Sequence, residues 1–412
     1  MDFTKYALKP GGILLPTGVD LQKWAVIACD QFTSQPEYWQ EVEQVADGAP
    51  STLDMIYPEA WLNQGDERIP RIHQAMRKAL KGALVPATDG FVLVARQVST
   101  GVRLGLVAAV DLEKYDYAPG SKALIRPTEK TIPERIPPRM KIRLAAPLET
   151  PHVLLLVDDP EMTLLEPLYE TRKTLRPLYD FDLMLDGGHI QGWAVEGAAL
   201  RPVNTALSKL YDKCDGLLYA VGDGNHSLAT AKASWEAIKG RLTLEQLLTH
   251  PARFALCEIG NLFDPSLVFR PIHRAVFGAS GADLSLDFIM WCRGRGVGVA
   301  ACDEASAQMY LLDAPVRLVN APDVPPVAIL QPFLDEWLAA HPDASVDYIH
   351  GADALEALRS KGAAGVKLTA IDKYTLFPGV RTGGSLPLKS FSMGEARDKR
   401  YYLECRSLLT ER

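Results

Sequence analysis

The chain has 412 residues, enough for two or three domains or one large elaborated one, and its 47% hydrophobic content is that of a globular protein with an ordinary core. A net charge of −7 and a pI near 5.7 speak against a nucleic-acid binder driven by bulk charge. Cys29, Cys214, Cys257, Cys292, Cys302 and Cys405 are scattered and form no C-x-x-C pair, which suits a reduced, cytoplasmic protein whose cysteines act as small core residues. Met1 to Pro10 carries no basic stretch followed by an apolar run, and no apolar stretch is long enough for a membrane span, so neither a signal peptide nor a membrane partner is expected.

In chain order, Trp24 to Asp30 reads as a strand ending in an acid. Polar side chains at the C-terminal ends of strands are where α/β sites gather, so Asp30 is a candidate, with a plain turn residue as the other reading. Ser34-x-x-Glu37 is a capping-box pattern for a helix through Tyr38, Trp39, Val42 and Val45. Ile69 to Leu80 predicts a helix with Ile72, Ala75, Met76 and Leu80 inward and His73 toward solvent. Phe91 to Arg96 and Val102 to Val110 read as paired strands around Ser99-Thr100-Gly101.

The stretch from Tyr115 to Arg143 is dense in proline and charge. Pro119, Pro127, Pro133, Pro137 and Pro138 forbid a long helix before Pro138. Arg126, Glu129, Lys130, Arg135, Arg139, Lys141 and Arg143 form either a solvated charged surface or a wall that grips phosphate oxygens. Glu129 amid so many cations favours its ionised form, as a base or metal ligand requires. Pro151 to Pro160 reads as a buried strand with the acidic exit Asp158-Asp159, and a helix is expected from Glu161 to Leu175. A hairpin over Phe181 to Val195 and a helix over Arg201 to Leu210 follow.

Leu217 to Val221 is apolar, Gly222-Asp223-Gly224-Asn225 reads as a tight loop, and Leu228, Ala231, Lys232, Trp235 and Ile238 recur at helical spacing up to Gly240. Strand, glycine loop and helix start together make an anion site, because first-turn N–H groups lack intrahelical partners and the helix dipole is positive there. Gly222, Asp223, Gly224, Asn225 and Ser227 are candidate phosphate contacts. Asp223 is also a candidate metal ligand, and His226 a candidate for proton transfer. On the plainer reading Asn225 or Ser227 caps the helix and Asp223 closes a turn. The loop is neither a Walker A nor a dinucleotide fingerprint.

Further on, Phe254 to Ile259 reads as a strand, Arg270 to Arg274 as the approach to a helix or turn with a second set of cations, and Asp283 to Cys292 as a helix. Val346–His350, Ala352–Lys361 and Gly365–Ile371 form a β-α-β unit. Arg381 to Phe391, with Lys389, reads as an ordered loop that folds over a site.

Taken together these motifs resemble the uncharacterised bacterial family called domain of unknown function 1015, over nearly the whole chain. Gly222-Asp223-Gly224-Asn225-His226-Ser227 stands where that family usually has Ala-Asp-Gly-His-His-Arg. Ile125 to Thr131 resembles its His-Glu-Lys-Thr string, Asp158-Asp159-Pro160 a third motif, Pro271-Ile272-His273-Arg274 a Pro-Thr-His-Arg string, and Pro387-Leu388-Lys389-Ser390 a Pro-x-Lys-Ser string. The glycine motif is also similar to the signature loop of the ParB and sulfiredoxin superfamily, whose nearest enzymes by this motif are the free serine kinases.

The resemblance implies an α/β to α+β fold: a mixed-sheet ParB/sulfiredoxin-like core over residues 1–245 and an α+β portion over 246–412 whose C-terminal loop returns toward the site. It implies phosphoryl transfer between a nucleotide, ATP or ADP, and a small hydroxylated metabolite such as serine, with Mg²⁺ bridging. His226, Glu129 and Asp30 would be catalytic, and Arg126, Lys130, Arg139, Arg143 and Lys389 would hold phosphate beside the glycine loop. The expected partners are a small molecule and a second copy of the chain in a homodimer, with no nucleic acid. Asn225 and Ser227 replace a His and an Arg of the family motif, and the lost Arg removes a bidentate phosphate clamp. Two other outcomes therefore stand beside the kinase or phosphatase: a nucleotide-gated binding protein, and a family member that has lost the chemistry.

Overall fold

Apolar residues crowd both sides of the strands in the first part of the chain, and this sets the architecture. The structure is a computed structural model that describes residues 1–33, 35–322, 324–387 and 389–410. It divides into two units: Met1–Pro127 with Thr131–Leu267 and Gly394–Arg412, and Thr128–Lys130 with Val268–Met393.

The first unit is built on the strands β1 (Leu8–Lys9), β2 (Phe91–Val98), β3 (Gly101–Asp111), β4 (Ile125–Pro127), β5 (Leu154–Val157), β6 (Arg176–Asp182), β7 (His189–Val195), β8 (Tyr219–Asp223) and β9 (Phe254–Asn261). They form one sheet in the order β6-β7-β2-β3-β9-β5-β8-β4, with β1 beside β3. β8 runs parallel to β4 and β9 parallel to β5, while the other pairs are antiparallel. Its main helices are α1 (Pro36–Ala46), α2 (Arg68–Gly82), α3 (Ile136–Arg143), α4 (Leu200–Lys213) and α5 (Asn225–Lys239). Along β2, Phe91, Leu93 and Ala95 join a core with Leu207, Leu228 and Trp235, whereas Val92 and Val94 join another with Trp39, Ile72 and Tyr402. A sheet covered on both faces needs such continuous apolar strands.

The border expected at residue 245 falls instead after Leu267, because β9 is hydrogen-bonded between β3 and β5. The chain also comes back to this unit at its end. Tyr401–Tyr402 pairs with Val26–Ile27, and Arg406–Ser407 with Leu148–Glu149. The returning segment is thus 394–412, whereas the expected loop from Arg381 belongs to the second unit and begins inside a helix.

Several local expectations change. The strand expected from Trp24 to Asp30 shrinks to the two residues Val26–Ile27, and Trp24 closes a single helical turn, Leu21–Trp24. The helix after Glu161 shrinks to Glu166–Glu170. The Asp159 carboxylate accepts the N–H groups of Thr163 and Leu164 at 2.7 and 2.9 Å, which holds the chain in a turn, and β6 claims the residues from Arg176 onward. His73 is buried, its Nε2 2.7 Å from the Ile142 carbonyl of the neighbouring α3 segment. Ser34, the expected capping residue, lies outside the described residues, and α1 starts at Pro36 with no side-chain cap.

The second unit carries β10 (Phe269–Phe277), α6 (Gly281–Arg293), β11 (Gly298–Ala301), β12 (Met309–Leu311), β13 (Ala314–Val319), α7 (Val327–Ala340), β14 (Ser345–His350), α8 (Ala352–Arg359), β15 (Ala364–Leu368), α9 (Lys373–Gly383) and β16 (Phe391–Met393). Its sheet order is β11-β13-β12-β15-β10-β14, with β16 also on β10. β14 and β15 both run antiparallel to β10, so the expected β-α-β unit exists with β10 inserted between its strands. The cations of Arg270 to Arg274 lie on a strand, not a turn. Arg274 is fully buried, donating to Gln331 Oε1 at 2.9 Å and to the Ile272 carbonyl at 2.7 Å.

Candidate functional site

β8 delivers Gly222 and Asp223 at an irregularity in its pairing with β5. One residue, Gly224, makes the turn into α5 with φ of 77°, a left-handed conformation that favours glycine. The loop is therefore shorter than expected: Asn225, His226 and Ser227 are the first three residues of the helix, and no side chain caps it. Neither Asn225 nor Ser227 takes the capping role. Their backbone N–H groups are those that a helix start leaves unpaired within the helix, and Asn225 Oδ1 is buried with no hydrogen-bond partner among the described residues.

Side chains from distant segments converge there. Lys399 Nζ lies 3.2 Å from Asp223 Oδ2, while Asp223 Oδ1 accepts the Gly224 N–H at 3.0 Å. His152, just before β5, places Nε2 at 3.0 Å from Ser227 Oγ and 3.9 Å from Asp30 Oδ2. Its Nδ1 is 2.7 Å from the Tyr402 hydroxyl. Asp30 and Tyr402 are brought together by the pairing of Val26–Ile27 with Tyr401–Tyr402. Burial opposes the charge on Asp30, but the His152 ring, the Gln31 amide and Lys399 hold its pKa below the usual carboxylate value.

His226 is placed differently. Its Nε2 accepts the Ile132 N–H at 3.2 Å, so the neutral ring carries its proton on Nδ1. Burial first, then the charges of Arg135 and Arg139, push its pKa from 6.5 down to about 4. Between those two values the unfolded chain binds a proton that the native chain refuses, so stability should rise with pH across the window and fall as pH drops through it. Urea midpoints measured between about pH 7 and about pH 4.5 should fall more steeply for the wild type than for His226→Asn. Parallel slopes would remove His226 from that account.

Most of the expected cations already have partners. Arg139 is ion-paired with Glu59, and Arg143 sits 2.5 Å from Glu149. Arg126 is buried and donates to the carbonyls of Ser121 and Gly216, both at 3.2 Å. Glu129, Lys130 and Lys389 belong to the second unit. There Glu129 Oε1 accepts the Ser390 N–H at 3.2 Å, the Lys130 N–H donates to the Leu386 carbonyl at 3.1 Å, and Lys389 is exposed. In the first unit the structure thus brings together Asp30, Gly222, Asp223, Gly224, Asn225, His226 and Ser227, and adds His152, Lys399 and Tyr402.

A cavity of about 190 Å³ adjoins this cluster. Ser227, His152, Tyr402 and Arg139 line part of it, and Met55, Ile142 and Leu256 contribute apolar surface. For Mg²⁺, both oxygens of Asp223 already have partners, and no group of three or more His, Cys, Asp or Glu side chains suited to a metal occurs among the described residues. Mg²⁺ takes only one or two protein carboxylates in such sites, with water and substrate phosphates completing its shell, and Asp223 is the carboxylate at the turn. All the cysteines are free thiols, and no described helix is long and apolar enough to cross a membrane.

A family model described as "Protein of unknown function (DUF1015)" matches residues 14–313. No curated protein matches the chain in sequence. Among solved structures, the chain is similar to a free serine kinase in complex with AMP, at 12% identity and a TM-score of 0.38, over 73% of this chain and 92% of that one. It is also similar to a conserved hypothetical protein from Pyrococcus furiosus (12% identity, TM-score 0.35, 73% and 95% of the two chains). A third likeness is to SbnI with a C-terminal truncation from Staphylococcus aureus (11% identity, TM-score 0.35, 70% and 82%).

Proposed function

The chain belongs to the family described as protein of unknown function DUF1015, and for it we propose a phosphate- or nucleotide-binding role with phosphoryl transfer to or from a small hydroxylated metabolite, of the serine or phosphoserine kind. The observation that carries this reading is the uncapped start of α5 at Asn225–Ser227, set beside the Lys399–Asp223 pair and the His152–Asp30 pair at the edge of a cavity. Unpaired N–H groups at the positive end of a helix suit phosphate oxygens. On this reading the Nδ1–H of His226 donates to the phosphate, Lys399 and Arg139 balance charge on the transferring oxygens, and Asp30, ionised, orients the metabolite hydroxyl or takes its proton. ATP or ADP is the nucleotide proposed as donor or acceptor. The chemistry suits a reduced, cytoplasmic setting and a small-molecule partner.

The test is a thermal-shift panel of ATP, ADP, pyrophosphate, serine and phosphoserine, each with and without Mg²⁺. A ligand that binds only the native state raises its apparent stability, by about 2.7 kcal/mol at a hundredfold excess over Kd. A shift with nucleotide that serine enlarges is the expected result for a kinase, and a shift with phosphoserine alone for a phosphatase. Nucleotide binding without turnover of any metabolite would favour the gated binding protein. No shift with any of these would sink the phosphate reading and leave Asn225 and Ser227 as marks of a lost site.

A further inference from the structure

Ser227, His152 and Tyr402 form a connected chain of polar groups on the cavity wall. We infer that Ser227 is a transient phosphoryl carrier, with His152 as its base and Tyr402 as the residue that positions that base. This rests on the phosphoryl reading of the site and adds to it a covalent step on the protein itself.

The geometry is that of an activated nucleophile: a hydroxyl within reach of a base that a third group orients. Ser227 Oγ is 3.0 Å from His152 Nε2, and His152 Nδ1 is 2.7 Å from the Tyr402 hydroxyl. The base role requires the tautomer with the proton on Nδ1, and Tyr402 can accept that proton because its own has a second acceptor. Its oxygen accepts the Cys29 N–H at 3.2 Å, and its O–H donates to Cys29 Sγ at 3.1 Å. With the phenol proton directed to sulfur, the phenol oxygen is left to accept Nδ1–H from His152. Nε2 then presents its lone pair to the Ser227 hydroxyl. Burial pushes the Cys29 thiol up to about 12, so the sulfur is neutral and no rival nucleophile.

Two further features favour the step. Ser227 is the third residue of a 15-residue helix, where the positive helix end stabilises both the alkoxide and the incoming phosphoryl oxygens. Asp30 Oδ2, 3.9 Å from Nε2, stabilises the imidazolium that forms once the proton has moved.

In the first half-reaction Ser227 Oγ forms a bond to phosphorus and the bond from phosphorus to the donor's leaving oxygen breaks. The Ser227 proton passes to His152 Nε2 and from there to the leaving oxygen. In the second, a hydroxyl of water or of the metabolite attacks phosphorus and gives its proton to Nε2. The Oγ–P bond breaks, and Oγ takes the proton back. Donor and acceptor are a phosphate monoester or anhydride and a hydroxyl, and no other reactant is needed.

The experiment uses the full chain with acetyl phosphate, p-nitrophenyl phosphate and ATP as donors. It reads phosphopeptides after parallel acid and alkaline quenches, since a phosphohistidine survives only the alkaline one, and, for a donor that turns over, the configuration at phosphorus. A phosphorylated Ser227 peptide, or net retention at phosphorus, is expected, and both turnover and label should vanish in Ser227→Ala. His152→Gln should slow turnover by about 10²–10⁴-fold, the range for loss of a general base. Tyr402→Phe should lower kcat with KM unchanged and alter the pH profile, which loss of packing alone would not do. Net inversion, full activity of Ser227→Ala, or a label on Asp30 or on His152 would overturn the carrier while leaving phosphate binding intact. Acetylation of Ser227 by acetyl phosphate in place of phosphorylation would overturn it in favour of acyl chemistry. If no phosphate compound shifts the melting temperature and none turns over, the phosphoryl reading fails, and the carrier with it.

Discussion

Arg400→Met is expected to destabilise the first unit by about 3–5 kcal/mol, the range for removing one partner of a buried ion pair. Arg400 is almost fully buried, at 4% side-chain exposure, and its guanidinium meets two carboxylates that are as deeply buried. One nitrogen pairs with Glu258 Oε2, another with Glu404 Oε2 at 2.6 Å, and Nε donates to the Pro151 carbonyl at 3.2 Å. Tyr179 adds a hydroxyl to Glu404 Oε1 at 2.5 Å. Burial opposes the charge on Glu258, but Arg400 foremost, then Arg103 and Arg96, keep its pKa below the usual carboxylate value. Methionine would leave Glu404 without its ion pair and Glu258 with only Arg103, 3.8 Å away. The network also fixes the returning segment, since Lys399 and the Tyr401–Tyr402 pair flank Arg400 in sequence and Pro151 adjoins His152. The variant should therefore lose phosphate-induced stabilisation together with stability. Urea unfolding gives the free energy, and a triple variant with Glu258→Gln and Glu404→Gln should recover part of the loss, because the stranded charges are then gone. A midpoint for Arg400→Met equivalent to wild type within about 0.5 kcal/mol, the range of ordinary surface substitutions, would contradict this view of the segment.

What the sequence shows and what it hides divide along contact range. The strand, glycine turn and helix from Leu217 to Gly240 are legible because each signal is local: an apolar run, a residue tolerant of positive φ, and helical spacing that ends in glycine. The hairpin around Thr100 and the helix containing Ile72 and Met76 are legible for the same reason. His152, Lys399 and Tyr402 carry no local mark of function. His152 reads as the start of a buried strand and Tyr402 as an aromatic in a tail; the pairing of Tyr401–Tyr402 with Val26–Ile27 brings Tyr402 to Asp30, and the pairing of β5 with β8 brings His152 to Ser227. Charge density is a coarser guide. Arg126, Arg139 and Arg143 look alike in sequence, yet each has its own carbonyl or carboxylate partners, which a count of cations cannot reveal. The division between units was hidden by order: β9 follows α5 by an ordinary connection, and only its insertion between β3 and β5 ties it to what precedes it.

Gly224→Ala should disable the site by a backbone effect, and its stability cost should be smaller than that of Arg400→Met. With φ of 77°, an L-residue at this turn costs about 1–2 kcal/mol from conformation alone. Space adds to this. An added Cβ would lie 3.1 Å from Val153 Cα, 3.1 Å from Val153 Cγ2 and 3.4 Å from His152 Cδ2. Val153 must give by a few tenths of an ångström while the imidazole is only brought into ordinary contact, and because Val153 follows His152 in the chain its shift disturbs the His152–Ser227 contact of 3.0 Å. The expected result is loss of the stabilisation given by phosphate ligands at temperatures where the variant is still folded, with near-complete loss of any turnover. Gly240→Ala is the matched control at the other end of the helix. There φ is −65° and an added Cβ meets nothing within 4 Å, so stability should hold or rise slightly through the unfolded chain. If Gly224→Ala keeps the wild-type response to phosphate, the close approach of the turn to His152 plays no part in binding, and the site must draw its affinity from side chains other than those the turn positions.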